Sequence, residues 1–308
     1  MKVLITTSSF AAYSTEPLDQ LIHQGYEAIL NPFRTKITKE QAIQLYKEDV
    51  DGVIAGTEII DKEILASARR LKVISRCGSG VDNIDIAFAK KKGIKVFTTP
   101  DAPTNAAAEL TVGLILSLLR WIPSISREMH NGSWNKKMGG LLQSKNIGIV
   151  GFGRIGKQTA KLLKSFDVKI LYCDPVVDVK GLNNFRKVSL CELLSSSDIV
   201  SLHLSYSEEN HKLISQKEFS LMKEGAFLVN ISRGGIVDEQ ALYDVLKSGH
   251  LAGAALDVFE NEPYNGVLKE LNNVILTPHI GSYAKESRIE MEIEAVRNLL
   301  HGLDGALK

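Results

Sequence analysis

The chain has 308 residues, 44% hydrophobic and 24% charged, the balance of an ordinary globular protein long enough for about two domains. A formal net charge of +1 gives no long-range attraction to nucleic acid or to an acidic membrane surface, so neither is expected as a partner. Three scattered cysteines, Cys77, Cys173 and Cys191, fit neither a disulfide framework nor a zinc spacing, so no metal is expected and a reducing, cytoplasmic compartment is.

Met1-Lys2 leads directly into an apolar pattern without a cleavage signature, and no leader is expected. From there strand and helix patterns alternate. Val3 to Thr6 reads as a strand and Pro17 to Gln24 as a helix stopped by Gly25. Thr38 to Gln41 has the form of a capping box for the next helix. Gly52 to Ile54 and Lys72 to Ser75 read as strands around a helix from Asp61 to Arg69. Asp85 to Lys92 is a helix stopped by Gly93, and Ile94 to Phe97 is extended. Such alternation predicts a parallel sheet covered on both faces.

Pro100 and Pro103 break the rhythm and mark a domain boundary after Thr99. An apolar helix capped by Thr104 follows to Leu119; its apolar core is too short to span a bilayer. Trp121 to Lys145 shows little period and reads as an arm or loop suited to subunit contact.

The second half is organised around Asn146 to Asp174. Asn146 to Val150 is a buried strand pattern, Gly151-Phe152-Gly153-Arg154-Ile155-Gly156 follows at once, and Ile155, Thr159, Leu162, Leu163 and Phe166 form a helical stripe. Gly151 permits the tight turn, Gly153 the approach of a pyrophosphate, and Gly156 close packing of helix on strand. Arg154 and Ile155 open the helix whose N–H groups receive the phosphates. Val168 to Cys173 is the next strand, and Asp174 closes it where ribose hydroxyls are held. This is a dinucleotide-binding core of Rossmann type. Capping patterns recur at Ser189, Ser215 and Asp238. Further strands are read at Ile199 to His203, Ala226 to Asn230, Ala252 to Leu256 and Val274 to Thr277. A last helix, Lys285 to Gly302, is expected to return to the first domain. The fold class is therefore α/β with two doubly wound parallel-sheet domains: a flavodoxin-like domain of residues 1–99 plus 282–308, and the inserted cofactor domain, 100–281.

In open α/β sheets, ligands bind beyond the carboxyl ends of the strands. The residues there are Gly151, Asp174, His203, the Ile231-Ser232-Arg233 turn, Asp257 and Pro278-His279. They supply a phosphate loop, a ribose acceptor, a cation and an imidazole, the set that hydride transfer on a hydroxy acid requires. Glu262, after Asp257, is placed to orient an imidazole. Position alone does not choose between His203 and His279. Arg233 has Asp238 as an alternative partner, and Glu262-Pro263 also reads as a plain turn.

Several segments carry a resemblance. These are Arg76 to Asn83, Ala107 to Thr111, the Gly151 to Gly156 loop, Asn230 to Asp238, Ala255 to Pro263 and Pro278 to Gly281. On them the chain resembles the NAD-dependent D-isomer-specific 2-hydroxyacid dehydrogenases, and among these the D-3-phosphoglycerate dehydrogenases. The resemblance implies NAD as cofactor and a small 2-hydroxy or 2-oxo acid as substrate. It implies Arg233 as carboxylate anchor, His279 as acid/base and Glu262 as its partner, favouring the imidazolium. Ser232 joins the cofactor contacts, Asp257 holds the nicotinamide carboxamide, and Ser79-Gly80 offer backbone N–H groups to the substrate carboxylate. A homodimer through the cofactor domains is expected.

Two departures stand out. Phosphoglycerate dehydrogenases often carry an arginine near Ile54-Ala55-Gly56-Thr57 and an asparagine near Pro103, and neither is present here, although Trp134-Asn135-Lys136 resembles their phosphate-reaching segment. Ser205-Tyr206 stands where the family usually has proline and a small apolar residue. The chain stops at Lys308, so no C-terminal regulatory module or serine feedback is expected. Alternatives within the fold are reductases of glyoxylate/hydroxypyruvate type, formate dehydrogenases (which pair the histidine with glutamine, unlike Glu262) and the NAD(H)-sensing C-terminal-binding-protein corepressors, which carry long flanking segments.

Overall fold

A computed structural model describes residues 1–178 and 185–304. The chain divides into two compact units, Met1–Pro103 with Ser282–Lys308, and Thr104–Gly281. The first break thus follows Pro103, where the long apolar helix begins.

The first unit runs β1 (Lys2–Ile5), α1 (Glu16–His23), β2 (Glu27–Leu30), α2 (Lys39–Tyr46), β3 (Gly52–Ala55), α3 (Lys62–Ser67), β4 (Val73–Arg76), α4 (Ile86–Lys91) and β5 (Lys95–Thr98). All five strands are parallel in the order β2-β1-β3-β4-β5, the flavodoxin-like arrangement. Helix starts follow side-chain chemistry. Thr38 and Gln41 make a reciprocal capping box, while Asp61 and Asp85 accept N–H groups from the first turns they precede. β2 escapes the sequence reading because it is an edge strand whose four residues are exposed or half-buried, so it shows no apolar run.

The second unit runs α5 (Thr104–Leu119), α6 (Ile122–His130), β6 (Asn146–Val150), α7 (Arg154–Leu163), β7 (Lys169–Cys173), β8 (Phe185–Lys187), α8 (Leu190–Ser196), β9 (Ile199–Leu202), α9 (Gln216–Leu221), β10 (Ala226–Asn230), α10 (Glu239–Lys247), β11 (Leu251–Leu256) and β12 (Val274–Leu276). Its seven strands are parallel in the order β12-β11-β10-β9-β6-β7-β8. The order reverses at β6, so Gly151 after β6 and His203 after β9 stand at the topological switch point, where such sheets bind ligands. On one face α5 contributes Ala107, Leu114, Ile115, Leu118 and Leu119 to a cluster with Ile147, Ile149, Phe152, Leu163 and Tyr172. On the other, α8, α9 and α10 cover Val200, Leu228 and Ala254.

Three expectations are corrected. The stretch after Trp121 is not all loop, because residues 122–130 form α6. Trp121, at φ 55, ends α5 in the left-handed region, and Pro123 in the first turn restarts the helix at a 65° bend. The sparse stripe Ile122, Ile125 and Met129 is too short for the period to announce it. Phe166 lies on a 3-10 turn after α7 and is exposed, so the buried stripe of α7 is Gly156, Thr159, Ala160 and Leu163. Ser189 accepts the Glu192 N–H, but no reciprocal bond completes a capping box there. No single helix among the described residues is long and apolar enough to cross a membrane.

After Gly281 the chain returns to the first unit as α11 (Lys285–Asp304). Met291, Ala295, Val296, Leu299 and Leu303, spaced as one helical face, pack on Val3, Ile5, Ile54 and Val73.

Candidate active site

The glycine loop is built as its spacing requires. Gly151 has φ 89, and a β-carbon on it would stand 2.6 Å from the His203 carbonyl oxygen. One on Gly156 would stand 2.2 Å from the Gly151 carbonyl oxygen, so only glycine lets α7 seat against the end of β6. Gly153 is the N-cap residue of α7. It makes no side-chain cap and has open space where a β-carbon would point, which leaves the first-turn N–H groups of Arg154 and Ile155 presented to an anion.

At the end of β7, Asp174 Oδ2 accepts the Phe152 N–H at 2.7 Å, while Oδ1 accepts those of Val176 and Val177 at 2.9 and 2.7 Å. Burial works against its charge, but these bonds outweigh burial and hold the carboxyl below its ordinary range.

Beyond β10 the turn is tied by Asn230. Its Oδ1 accepts both the N–H and the hydroxyl of Ser232, at 3.0 and 2.7 Å, and its Nδ2 donates to the Arg233 carbonyl. This projects half-buried Arg233, whose Nη1 donates to the Ser232 carbonyl at 2.8 Å. Asp238 does not take Arg233 from this turn; it caps α10 and pairs with Lys212 at 3.3 Å.

Asp257 follows β11 and is fully buried. Its Oδ1 accepts from the Thr277 hydroxyl at 2.6 Å and the Ile280 N–H at 2.8 Å, and its Oδ2 accepts from the Gly281 N–H at 2.8 Å. Burial pushes its carboxyl up, and the three donors pull the other way. These bonds bracket His279, which sits at φ 54. A side chain in that left-handed region costs about 1–3 kcal/mol, so the flanking anchors have strain to overcome. His279 Nδ1 bonds Glu262 Oε2 at 2.9 Å, and the other oxygen of Glu262 accepts the Phe259 N–H at 3.1 Å.

His203 is the other imidazole on this edge. Its Nε2 meets the Ser201 hydroxyl at 2.9 Å, and its Nδ1 is buried with no partner among the described residues. Burial pushes its pKa down to about 3, so it is not an imidazolium near neutral pH. The structure therefore separates two histidines that spacing left equal.

In the first unit, Ser79 and Gly80 lie on the turn after β4. Gly78, at φ 151, donates to Thr99 Oγ1 at 2.8 Å, and a β-carbon there would stand 2.6 Å from Arg76 Nη1. The N–H groups of Ser79 and Gly80 have no acceptor among the described residues. Asn230 and Thr277 were missed as positioning residues. Asn230 carried a legible signal, an Asx side chain bonding its own backbone two residues on; Thr277 carried none.

Residues 112–281 match the D-isomer specific 2-hydroxyacid dehydrogenase, NAD binding domain. Glyoxylate reductase of Thermofilum pendens is 45% identical over 262 residues, covering 82% of this chain and 77% of that one. The chain belongs to the D-isomer specific 2-hydroxyacid dehydrogenase family. D-3-phosphoglycerate dehydrogenase of Archaeoglobus fulgidus is 36% identical across 98% of this family member, which spans 58% of the longer protein. The crystal structure of D-lactate dehydrogenase from Aquifex aeolicus, complexed with NAD and lactic acid, superposes with a TM-score of 0.85 at 28% identity, covering 100% of this chain and 96% of that one. The chain is thus an oxidoreductase with an NAD-binding domain, and its own residues fit NAD: the open Gly153, the uncapped start of α7 and the ionised Asp174.

Proposed function

We propose that the chain interconverts a D-2-hydroxy acid and its 2-oxo acid, with His279 exchanging the hydroxyl proton, Glu262 orienting it, and Arg233 anchoring the carboxylate. The 2.9 Å bond between His279 and Glu262, on a loop fastened by Asp257, carries this reading. With Nδ1 engaged, Nε2 is the ring atom left to exchange a proton. NAD supplies the hydride acceptor when bound, and NADH the donor. In reduction, His279 gives its proton to the carbonyl oxygen, and Arg233 opposes the charge growing there. In oxidation the neutral imidazole takes the proton back. In the first unit, the Ser79 and Gly80 N–H groups, without an acceptor among the described residues, are the ones the resemblance assigns to the substrate. Gly151, Gly153, Arg154, Ile155, Gly156, Asp174 and Ser232 serve the cofactor. Asp257 fastens the His279 loop and keeps acceptor capacity on Oδ2 for the nicotinamide carboxamide.

The substrate divides two readings. The resemblance points to 3-phosphoglycerate, for which exposed Lys136 would be the cation. The loop after β3 favours an unphosphorylated acid of the glyoxylate or hydroxypyruvate kind. Gly56-Thr57-Glu58-Ile59 offers no cation to a phosphate, and its one charged group is Glu58, buried, bonded by Tyr46 and Thr6, with its carboxyl pushed up by that burial. We favour the second reading. Initial rates with NADH on glyoxylate, hydroxypyruvate and 3-phosphohydroxypyruvate should rank the phosphorylated acid last in kcat/KM. If it ranks first, the phosphoglycerate reading stands instead, and no turnover on any 2-oxo acid would favour a non-catalytic NAD(H) sensor. We further propose a cytoplasmic homodimer assembled through the second unit, where Ile122, Met129, Trp134, Met138 and Leu141 leave large apolar surface exposed.

A further inference from the structure

Glu262 reaches His279 from a loop, and its aim depends on what holds that loop still. We propose that Glu239 is a positioning residue for the reaction, its carboxylate fixing the Phe259-Glu260 segment from which Glu262 is presented. The proposal rests on the reading that Glu262 and His279 act together.

Glu239 is the first residue of α10, and the helix start is rigid because Asp238 Oδ1 accepts the Gln240 and Ala241 N–H groups at 3.1 Å each. From that base Glu239 Oε1 accepts the Glu260 N–H at 2.9 Å. Further along the loop the Tyr264 hydroxyl accepts the Leu268 N–H at 3.2 Å. Its ring stacks on Phe259 with centroids 4.1 Å apart and planes at 22°.

The opposite side of the same segment is closed by backbone. A β-carbon on Gly234 would stand 1.8 Å from the Phe259 carbonyl carbon and 2.2 Å from the Glu260 nitrogen, so the peptide after Arg233 lies flush against the Phe259–Glu260 peptide. Phe259 in turn donates its N–H to Glu262 Oε1, whose other oxygen holds His279. Glu239 therefore acts on the proton donor through three hydrogen bonds in series, Glu239 to Glu260, Phe259 to Glu262 and Glu262 to His279. It bonds the segment that presents Glu262, and its tie to His279 runs through that segment. Gly234 makes Arg233 share the same footing.

The test is a pH–rate profile of 2-oxo acid reduction with NADH for the parent, Glu239→Ala, Glu239→Gln, Glu262→Gln and the double variant Glu239→Ala/Glu262→Gln, with NADH binding followed by fluorescence. Reduction needs the imidazolium, so Glu262→Gln moves the basic limb to lower pH. Glu239→Ala should move it the same way and lower kcat by about 10- to 100-fold, with NADH binding unchanged. Glu239→Gln keeps a carbonyl oxygen for the Glu260 N–H and should stay close to the parent. The double variant should be no worse than the poorer single, as residues acting in series require. A parental limb in Glu239→Ala beside a shifted limb in Glu262→Gln overturns this proposal alone, as do multiplying effects in the double variant. An unshifted limb in Glu262→Gln overturns the reading beneath it, and this proposal with it. Should Glu239→Ala fail to fold, Glu239→Asp keeps the charge but draws the carboxylate back from the Glu260 N–H; it should shift the limb in the same direction, and an unshifted limb there overturns the proposal equally.

Discussion

At Asp174 the carboxylate proposed for the adenosine ribose is held below its ordinary range by the N–H groups of Phe152, Val176 and Val177. A 2′-phosphate would face that charge, so kcat/KM should favour NADH over NADPH; a ratio below one contradicts the role given to Asp174. Arg233→Ala should raise KM and lower kcat together, because one charge serves the ground-state carboxylate and the growing alkoxide; a change in KM alone would confine it to binding. His203 gives a stability prediction. Unfolded, it binds a proton near its ordinary 6.5, whereas folded it does so only near about 3. Its contribution is full above the first value and is lost as pH falls toward the second. Urea midpoints at about pH 7.5 and about pH 5 should therefore draw apart less in His203→Gln than in the parent, and equal gaps would refute the account. Most of these residues were legible because each follows a strand, where open sheets place their chemistry. Glu239 and Thr277 were not, because their partners, the Glu260 N–H and the Asp257 carboxylate, belong to distant segments that only the fold brings near.

Among elements, α7 and its loop were readable from the glycine spacing set between a strand and a helix pattern, since the close approach of Gly156 to the Gly151 carbonyl is local in sequence. Gly156→Ala tests that locality. Its β-carbon would meet fixed backbone at the Gly151 carbonyl, so α7 must move, and NADH affinity should fall along with the melting temperature. An unchanged dissociation constant would show that α7 need not seat so closely. Asp238→Ala should cost about 1 kcal/mol through the lost cap of α10, read from urea unfolding. β2 and α6 were not legible because each is short: β2 is an exposed edge strand, and the stripe of α6 runs over only 9 residues.

For the whole chain, alternation of strand and helix was enough to predict two doubly wound sheets, and the final helix was readable from Lys285 to Gly302, whereas the face it packs on the first unit is seen only in the fold. The strand orders were not, because pairing among parallel strands of similar apolar composition is decided by packing across the sheet. The exposed stripe of α6 and the arm bearing Trp134, Met138 and Leu141 should be covered by a second copy, so sedimentation at micromolar concentration should give twice the 33.9 kDa chain mass; a clean monomer would refute the dimer. The central claim is that the proton exchanged at the substrate oxygen belongs to His279, and its most direct test is the turnover of His279→Ala in 2-oxo acid reduction, with NADH binding measured alongside. The account predicts a fall in kcat of about 10²–10⁴-fold with NADH binding intact; near-parental turnover would contradict it and place the proton on another group.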